Sequence, residues 1–184
     1  MNKHLFKMVV TALGIAMFFV VGKFLAIPTP IPNFSLFLQY AIQIVFSFYF
    51  GPVVGFSVGF IGHFLVDLIS GWGIWMSWIV SSGVFGLLTG LTSLLINKHE
   101  NPFKAIKIIL FSVAAVISGA ICWILIAPIG DLLFYGEPYN LVVLEGLIAF
   151  GTNTGSALLI GLPLIFAVKK VHIKHSIIKN SQEN

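Results

Sequence analysis

The sequence predicts an all-α integral membrane protein, with six transmembrane helices in one bundle and both termini on the cytoplasmic side. Three observations carry this expectation. First, 58% of the 184 residues are apolar and only 9% are charged, with a mean hydropathy of +1.04. A soluble domain carries about 25% charged residues, and a water-soluble fold of this composition would leave too much apolar surface facing solvent. Second, the apolar residues fall into six runs separated by Pro, Gly and charge clusters. Third, when those runs alternate across a bilayer, nine of the ten lysines fall on one side, which the positive-inside rule makes cytoplasmic.

The first run covers about 5–27 and stops at Pro28-Thr29-Pro30-Ile31-Pro32, where three prolines in five residues forbid helix interior. Lys3 and Lys7 ahead of an apolar stretch mimic a signal peptide. The stretch is about 20 residues, longer than a signal core, and no small-residue cleavage site precedes Pro28, so a retained helix is expected. The second run covers 34–50, and Gly51-Pro52 turns it into the third, 53–69. Gly71 to Gly73 break that run before the fourth, 74–96. A polar loop precedes the fifth, 104–128, and a longer loop, 129–140, precedes the sixth, 141–168. The remaining 169–184 read as a cytoplasmic basic tail, and the whole chain as a single membrane domain.

Charge supports this order. Lys3, Lys7, Lys98, Lys104, Lys107, Lys169, Lys170, Lys174 and Lys179 share the inner side, while Asp67, Asp131, Glu137, Glu145 and only Lys23 lie on the outer side. Lysines placed at the ends of apolar runs indicate topology and not a nucleic-acid surface. The chain has no Arg and no GxxxxGK[ST] loop, so any ATP chemistry must sit on another protein. Cys122, alone inside an apolar run, reads as a packed core thiol. Gly51, Gly55 and Gly59 recur every four residues, and Gly151, Gly155 and Ser156 do something similar, a spacing that lets helix backbones approach closely.

Polar groups gather at the outer ends of the spans. His63 and Asp67 are four residues apart and share a helix face. Such a pair in a membrane helix fits three roles: a hydrogen bond that supports the bundle, a wall of a ligand cavity, or a metal site. Two ligands are too few for a closed metal site, and no further His or Cys lies on the outer face. Trp72, Trp75 and Trp78, spaced by three and so expected on one broad face at the outer start of the fourth span, fit either an interfacial belt or a stacking surface for a flat ligand. Trp123, Tyr135 and Tyr139 add aromatics on that side, and Asn33, Gln39, Tyr40, Gln43, Thr152, Asn153 and Thr154 add neutral hydrogen-bonding groups. Together they describe an aromatic-walled, amide-lined cavity open to the outside. The Pro-rich stretch 27–35 is stiff and apolar, suited to a lid over the mouth or to a plain connector. A secondary transporter would need coupling charges deep in the bundle and repeats between halves. An intramembrane enzyme would need an activated nucleophile or metal at mid-span, where the residues are almost entirely apolar.

Six short spans, an AxxxA pair at Ala12 and Ala16, a Pro-rich outer loop and the string FGPVVGFSVGFIGHFLVD from Phe50 to Asp67 resemble the substrate-binding S components of energy-coupling factor (ECF) vitamin transporters. The resemblance is nearest to the riboflavin-transporter-like group and, within it, to the cobalamin-specific S components of lactobacilli. It implies a non-enzymatic subunit of a bacterial cell membrane that captures a micronutrient on its outer face. Delivery would follow docking on a transmembrane T component bound to two ATPases. Cobalamin is the first candidate and riboflavin or another uncharged vitamin the alternative, because only Lys23 could meet an anionic ligand. Asn33, Gln39, Tyr40, His63, Asp67, Trp72, Trp75, Tyr135, Tyr139 and Asn153 are the expected substrate-binding residues. Ala12 and Ala16, a small-residue pair in the inner half of the first span, are the expected docking contact. No cofactor, catalytic residue or metal site is expected.

Overall fold

A computed structural model of the chain describes residues 2–28, 35–97 and 103–170. Asn33, most of the Pro-rich stretch and the tail from 171 lie outside the described residues. The order of elements is α1 (Lys3–Phe24), β1 (Ile27–Pro28), β2 (Ser35–Leu36), α2 (Gln39–Phe50), α3 (Pro52–Ser70) and α4 (Met76–Asn97). Two long helices follow, α5 (Ala105–Tyr135) and α6 (Tyr139–Lys170). Five of the six, all but α2, are long and apolar enough to cross a membrane.

Local chemistry sets the boundaries. Asn2 caps α1 by accepting from the His4 N–H at 3.1 Å. Pro52 opens α3, where its missing N–H costs nothing, behind Gly51 at φ +85°. Gly71, left-handed at φ +84°, ends it.

Two helices differ most from the expected runs. The second run becomes helical only at Gln39, because Ser35–Leu36 pairs antiparallel with Ile27–Pro28 and holds that backbone extended. The expected all-helical chain therefore includes a two-residue ribbon. With 12 residues, α2 is about 18 Å long, short of a hydrocarbon core of about 30 Å. The fifth run was expected to stop at Pro128 but continues to Tyr135. A proline lacks one N–H and presses on the carbonyl four residues back. Here the turns before it, Ala120–Ile126, are π-helical, and the Ala127 N–H bonds Cys122 five residues back. The wider turn accommodates Pro128, and the expected loop 129–140 shrinks to 136–138, with Gly136 at φ +67°.

Glycines bring α3 and α4 into backbone contact. A Cβ on Gly55 would meet the Gly86 carbonyl oxygen, and a Cβ on Gly86 would meet that of Gly55. Gly59 faces the Ser82 carbonyl, and Gly90 faces Pro52. The second glycine pair does not behave this way. A Cβ on Gly151 or Gly155 would meet nothing within 4 Å, so the packing role expected for these two is corrected: among the described residues nothing packs against them, while Ser156 beside them is buried. The core contains Phe18, Tyr40, Ile44, Phe85, Phe111 and Trp123, all buried, with Tyr40 edge-on to Phe18 at 5.6 Å and to Trp123 at 4.9 Å. Cys122 is buried there as a free thiol.

The bundle has two unlike ends. At one, Lys3 and Lys7 lie beside Tyr49 and Phe50, and Lys169 sits 3.9 Å from the Phe103 ring centroid. At the other, Asp67, Asp131, Glu137 and Glu145 line one cavity.

Candidate functional site

The cavity at the acidic end is partly enclosed, with a volume of about 300 Å³. Its first wall is the end of α3 and the turn that follows. Asp67 is 3% exposed and sits at a helix C-terminus, where a carboxylate is disfavoured by the helix dipole. Three neighbours offset this. The Trp72 indole N–H donates to Oδ1 at 3.1 Å, the Trp75 backbone N–H donates to Oδ2 at 3.0 Å, and His63 Nε2 lies 3.5 Å from Oδ1. Gly71 and Gly73, both at positive φ, let the chain fold back far enough to place those donors. Trp72 and Trp75 thus belong to a turn ahead of α4 and share no helical face with Trp78, which corrects the reading from their spacing.

His63 links this wall to the core. Its Nδ1 is 2.5 Å from Ser82 Oγ on α4, and that hydroxyl is 3.0 Å from the Tyr40 hydroxyl on α2. The order Asp, His, Ser resembles a hydrolytic triad with the two ring nitrogens exchanged. Ser82 is fully buried and is not part of the cavity wall, so no substrate carbonyl reaches its oxygen. The chain of contacts ties three helices together and orients the imidazole.

The second wall comes from α4, α5 and α6. Asp131, 1% exposed, opens a π turn of α5 and accepts from the Ser77 hydroxyl and from the Trp78 indole N–H, the latter at 2.6 Å. Trp78 in turn stacks on Trp123 with ring centroids 6.1 Å apart. Glu137, Leu141, Glu145, Ala149 and Asn153 complete this side, and Phe37 and Tyr40 close the floor from the start of α2.

Of the residues singled out in the sequence, Tyr40, His63, Asp67, Trp72, Trp75, Trp78 and Asn153 meet at this cavity. Gln39 and Gln43 turn into the bundle instead: Gln39 faces Gly22, and the Gln43 amide donates to the carbonyls of Ser82 at 2.6 Å and Gly55 at 3.2 Å. Tyr135 stands behind the wall, its ring centroid 4.6 Å from that of Trp75. Its hydroxyl accepts from the Met76 N–H at 2.9 Å and donates to the Ile74 carbonyl at 3.3 Å. Tyr139 is 67% exposed and outside the lining. Thr152 bonds the Ile148 carbonyl, and Thr154 packs against Gly119. Lys23 does not face the cavity, since its ammonium donates to the Ile69 carbonyl and the Ser70 hydroxyl, both at 3.3 Å.

Sequence reasoning missed Asp131, Glu137 and Glu145 as cavity residues, along with Phe37, Leu141 and Ala149. One signal was available. Leu141, Glu145, Ala149 and Asn153 recur every four residues, which places them on one face of a helix. Among the described residues, no group of three or more His, Cys, Asp or Glu side chains is arranged to hold a metal ion. Ala12 and Ala16 are both exposed on α1 and do not pack inside the bundle.

Comparison with known proteins adds an independent line. Residues 2–170 match the family model described as ECF-type riboflavin transporter, S component. Curated relatives include a UPF0397 protein of Streptococcus sanguinis, 41% identical over 97% of this chain and 98% of that one. Another, from Lactobacillus gasseri, is 38% identical over 91% of both. Among solved structures, the S component for biotin from an ECF-type ABC transporter superposes with a TM-score of 0.66 at 15% identity, covering 92% of this chain and 95% of that one. The S component of a bacterial ECF transporter also superposes with a TM-score of 0.66, at 21% identity over 92% and 97% of the chains. At these identities the superpositions establish the fold.

Proposed function

The chain belongs to the ECF-type riboflavin transporter S component family, and from that premise we propose that it captures a vitamin-class micronutrient in the cavity at its acidic end. It is an integral membrane protein and a substrate-binding subunit, not itself an enzyme. The observation that carries the reading is the cavity itself, in which aromatic side chains from three chain segments converge on a few placed polar groups, the pattern of a small-molecule site. Its volume of about 300 Å³ is at the lower end of the range for drug-sized ligands, about 300–1,000 Å³. This favours a ligand of riboflavin's size over cobalamin, the first candidate from sequence.

In this reading the acidic end faces outward and the lysine-rich end faces the cytoplasm of a bacterial cell. The bound molecule is delivered when the subunit docks on a T component that carries two ATPases. The exposure of Ala12 and Ala16 on α1 supports their use as the docking contact, since two methyls leave room for another helix backbone. Co-purification tests this. The chain is expected to bring down a T subunit and ATPases. Ala12→Leu with Ala16→Leu is expected to abolish that assembly and uptake while leaving ligand affinity and thermal stability unchanged. Full uptake by the double variant would end the docking assignment, and uptake by the chain alone would favour a secondary transporter.

A further inference from the structure

The cavity walls carry four carboxylates, Asp67, Asp131, Glu137 and Glu145, and among the described residues no Lys. The four differ in what they already bind. Asp67 and Asp131 each accept from two N–H or O–H donors of the fold. Neither carboxylate of Glu137 or Glu145 has a hydrogen-bond or ion-pair partner among the described residues. Both are half-buried, and Glu145 is near enough to Asp131 and Glu137 for the three to repel one another. His63, the only basic group in the lining among the described residues, is engaged by Asp67 and Ser82, and it can offset at most one charge of the four.

A second observation points to a ligand independently of charge. Asn153 is 2% exposed and lines the cavity, yet its amide nitrogen has no partner among the described residues; its oxygen has only the Thr152 hydroxyl at 3.5 Å. The nitrogen opens onto the cavity and is not sealed in the bundle, so a bound molecule can accept from it.

We propose that the captured micronutrient is a flat organic cation, with its ring against the indoles of Trp75 and Trp78, its charge beside Glu137 and Glu145, and an acceptor atom at Asn153. The reading rests on the capture function proposed above and revises the sequence expectation of an uncharged ligand. Physically, a cation relieves the mutual repulsion of the carboxylates and gains from the indole faces, which attract positive charge. A neutral ring gains only the stacking, and an anion adds to the repulsion.

The test uses the purified full chain in detergent and three vitamins of different charge: thiamine (cationic), riboflavin (neutral) and pantothenate (anionic). Calorimetric titration is expected to show thiamine bound about tenfold or more tighter than the other two. Glu145→Gln and Glu137→Gln are each expected to weaken thiamine about tenfold, the scale of one charge-assisted contact, and to leave riboflavin unchanged. Thermal melts of the ligand-free variants, unchanged or raised, separate this loss from misfolding. If riboflavin or pantothenate binds more tightly than thiamine, or the Gln variants bind thiamine as the wild type does, the charge inference is overturned while capture by this cavity stands. If none of the three binds, the capture reading falls with it.

Discussion

The pairs α3–α4 and α5–α6 flank the same cavity, and they are built differently. Where α3 meets α4, Gly55 and Gly86 leave no room for a methyl, and the polar groups facing the cavity are tied up: His63 to Asp67 and Ser82, Asp67 to Trp72 and Trp75. In α5 and α6 the backbone runs through π turns at Ala120–Ile126, Asp131–Tyr135 and Ala157–Gly161. There Gly151 and Gly155 face open space, and Glu137, Glu145 and the Asn153 amide nitrogen lack partners among the described residues. The contrast separates two uses of polar residues in an apolar bundle. Satisfied groups, Asp67 on one wall and Asp131 on the other, fix the shape of the cavity, and the unsatisfied ones at Glu137, Glu145 and Asn153 are available to a ligand. It also shows that glycines four apart do not by themselves mean close packing, since Gly55 and Gly59 have the same spacing as Gly151 and Gly155 and only the first two touch a neighbouring backbone.

The sharpest way to break this comparison is Gly86→Leu. Its side chain would strike the Gly55 carbonyl, and overpacking against backbone is expected to cost about 3 kcal/mol, read as loss of monodisperse protein on size exclusion and a collapsed melting temperature. Next is Asp67→Ala, which strands the Trp72 indole and Trp75 backbone donors. A stability loss of about 2–3 kcal/mol is expected, with Asp67→Asn recovering part of it. Trp75→Ala is expected to leave folding intact and weaken ligand binding by about 1–3 kcal/mol. An unchanged dissociation constant for both Trp75→Ala and Trp72→Ala would return these rings to an interfacial belt. The smallest effect belongs to Gly151→Ala, where the added methyl meets nothing. Its stability should change by less than about 0.5 kcal/mol, and a melt as damaged as that of Gly86→Leu would erase the distinction between the pairs.

Much of the bundle was legible because its signals are compositional and local. Pro52 behind Gly51, and Gly71 after the apolar run, mark both ends of α3 by rules that need no tertiary context. The Asp67 and His63 pairing was legible for the same reason, since four residues along a helix is one turn. Pro128 misled because a proline reads as a terminator, and the π turn that accommodates it has no sequence signature of its own. Treating 129–140 as loop then removed Asp131 and Glu137 from view, although both line the cavity. Gln39 and Gln43 misled in the opposite direction. Their amides suited a ligand, but whether a polar side chain faces a cavity or a neighbouring helix depends on packing, and here Gly22, Gly55 and Ser82 receive them.

The central claim, that the acidic-end cavity holds a small vitamin-class molecule, is tested most directly by mass spectrometry of what the protein retains when purified from cells grown in rich medium. The account predicts one small organic molecule at close to one per chain, with occupancy falling sharply in Trp75→Ala and Asn153→Leu while both variants remain folded. Wild-type protein that retains nothing, or variants that retain the molecule as fully as the wild type does, would contradict it.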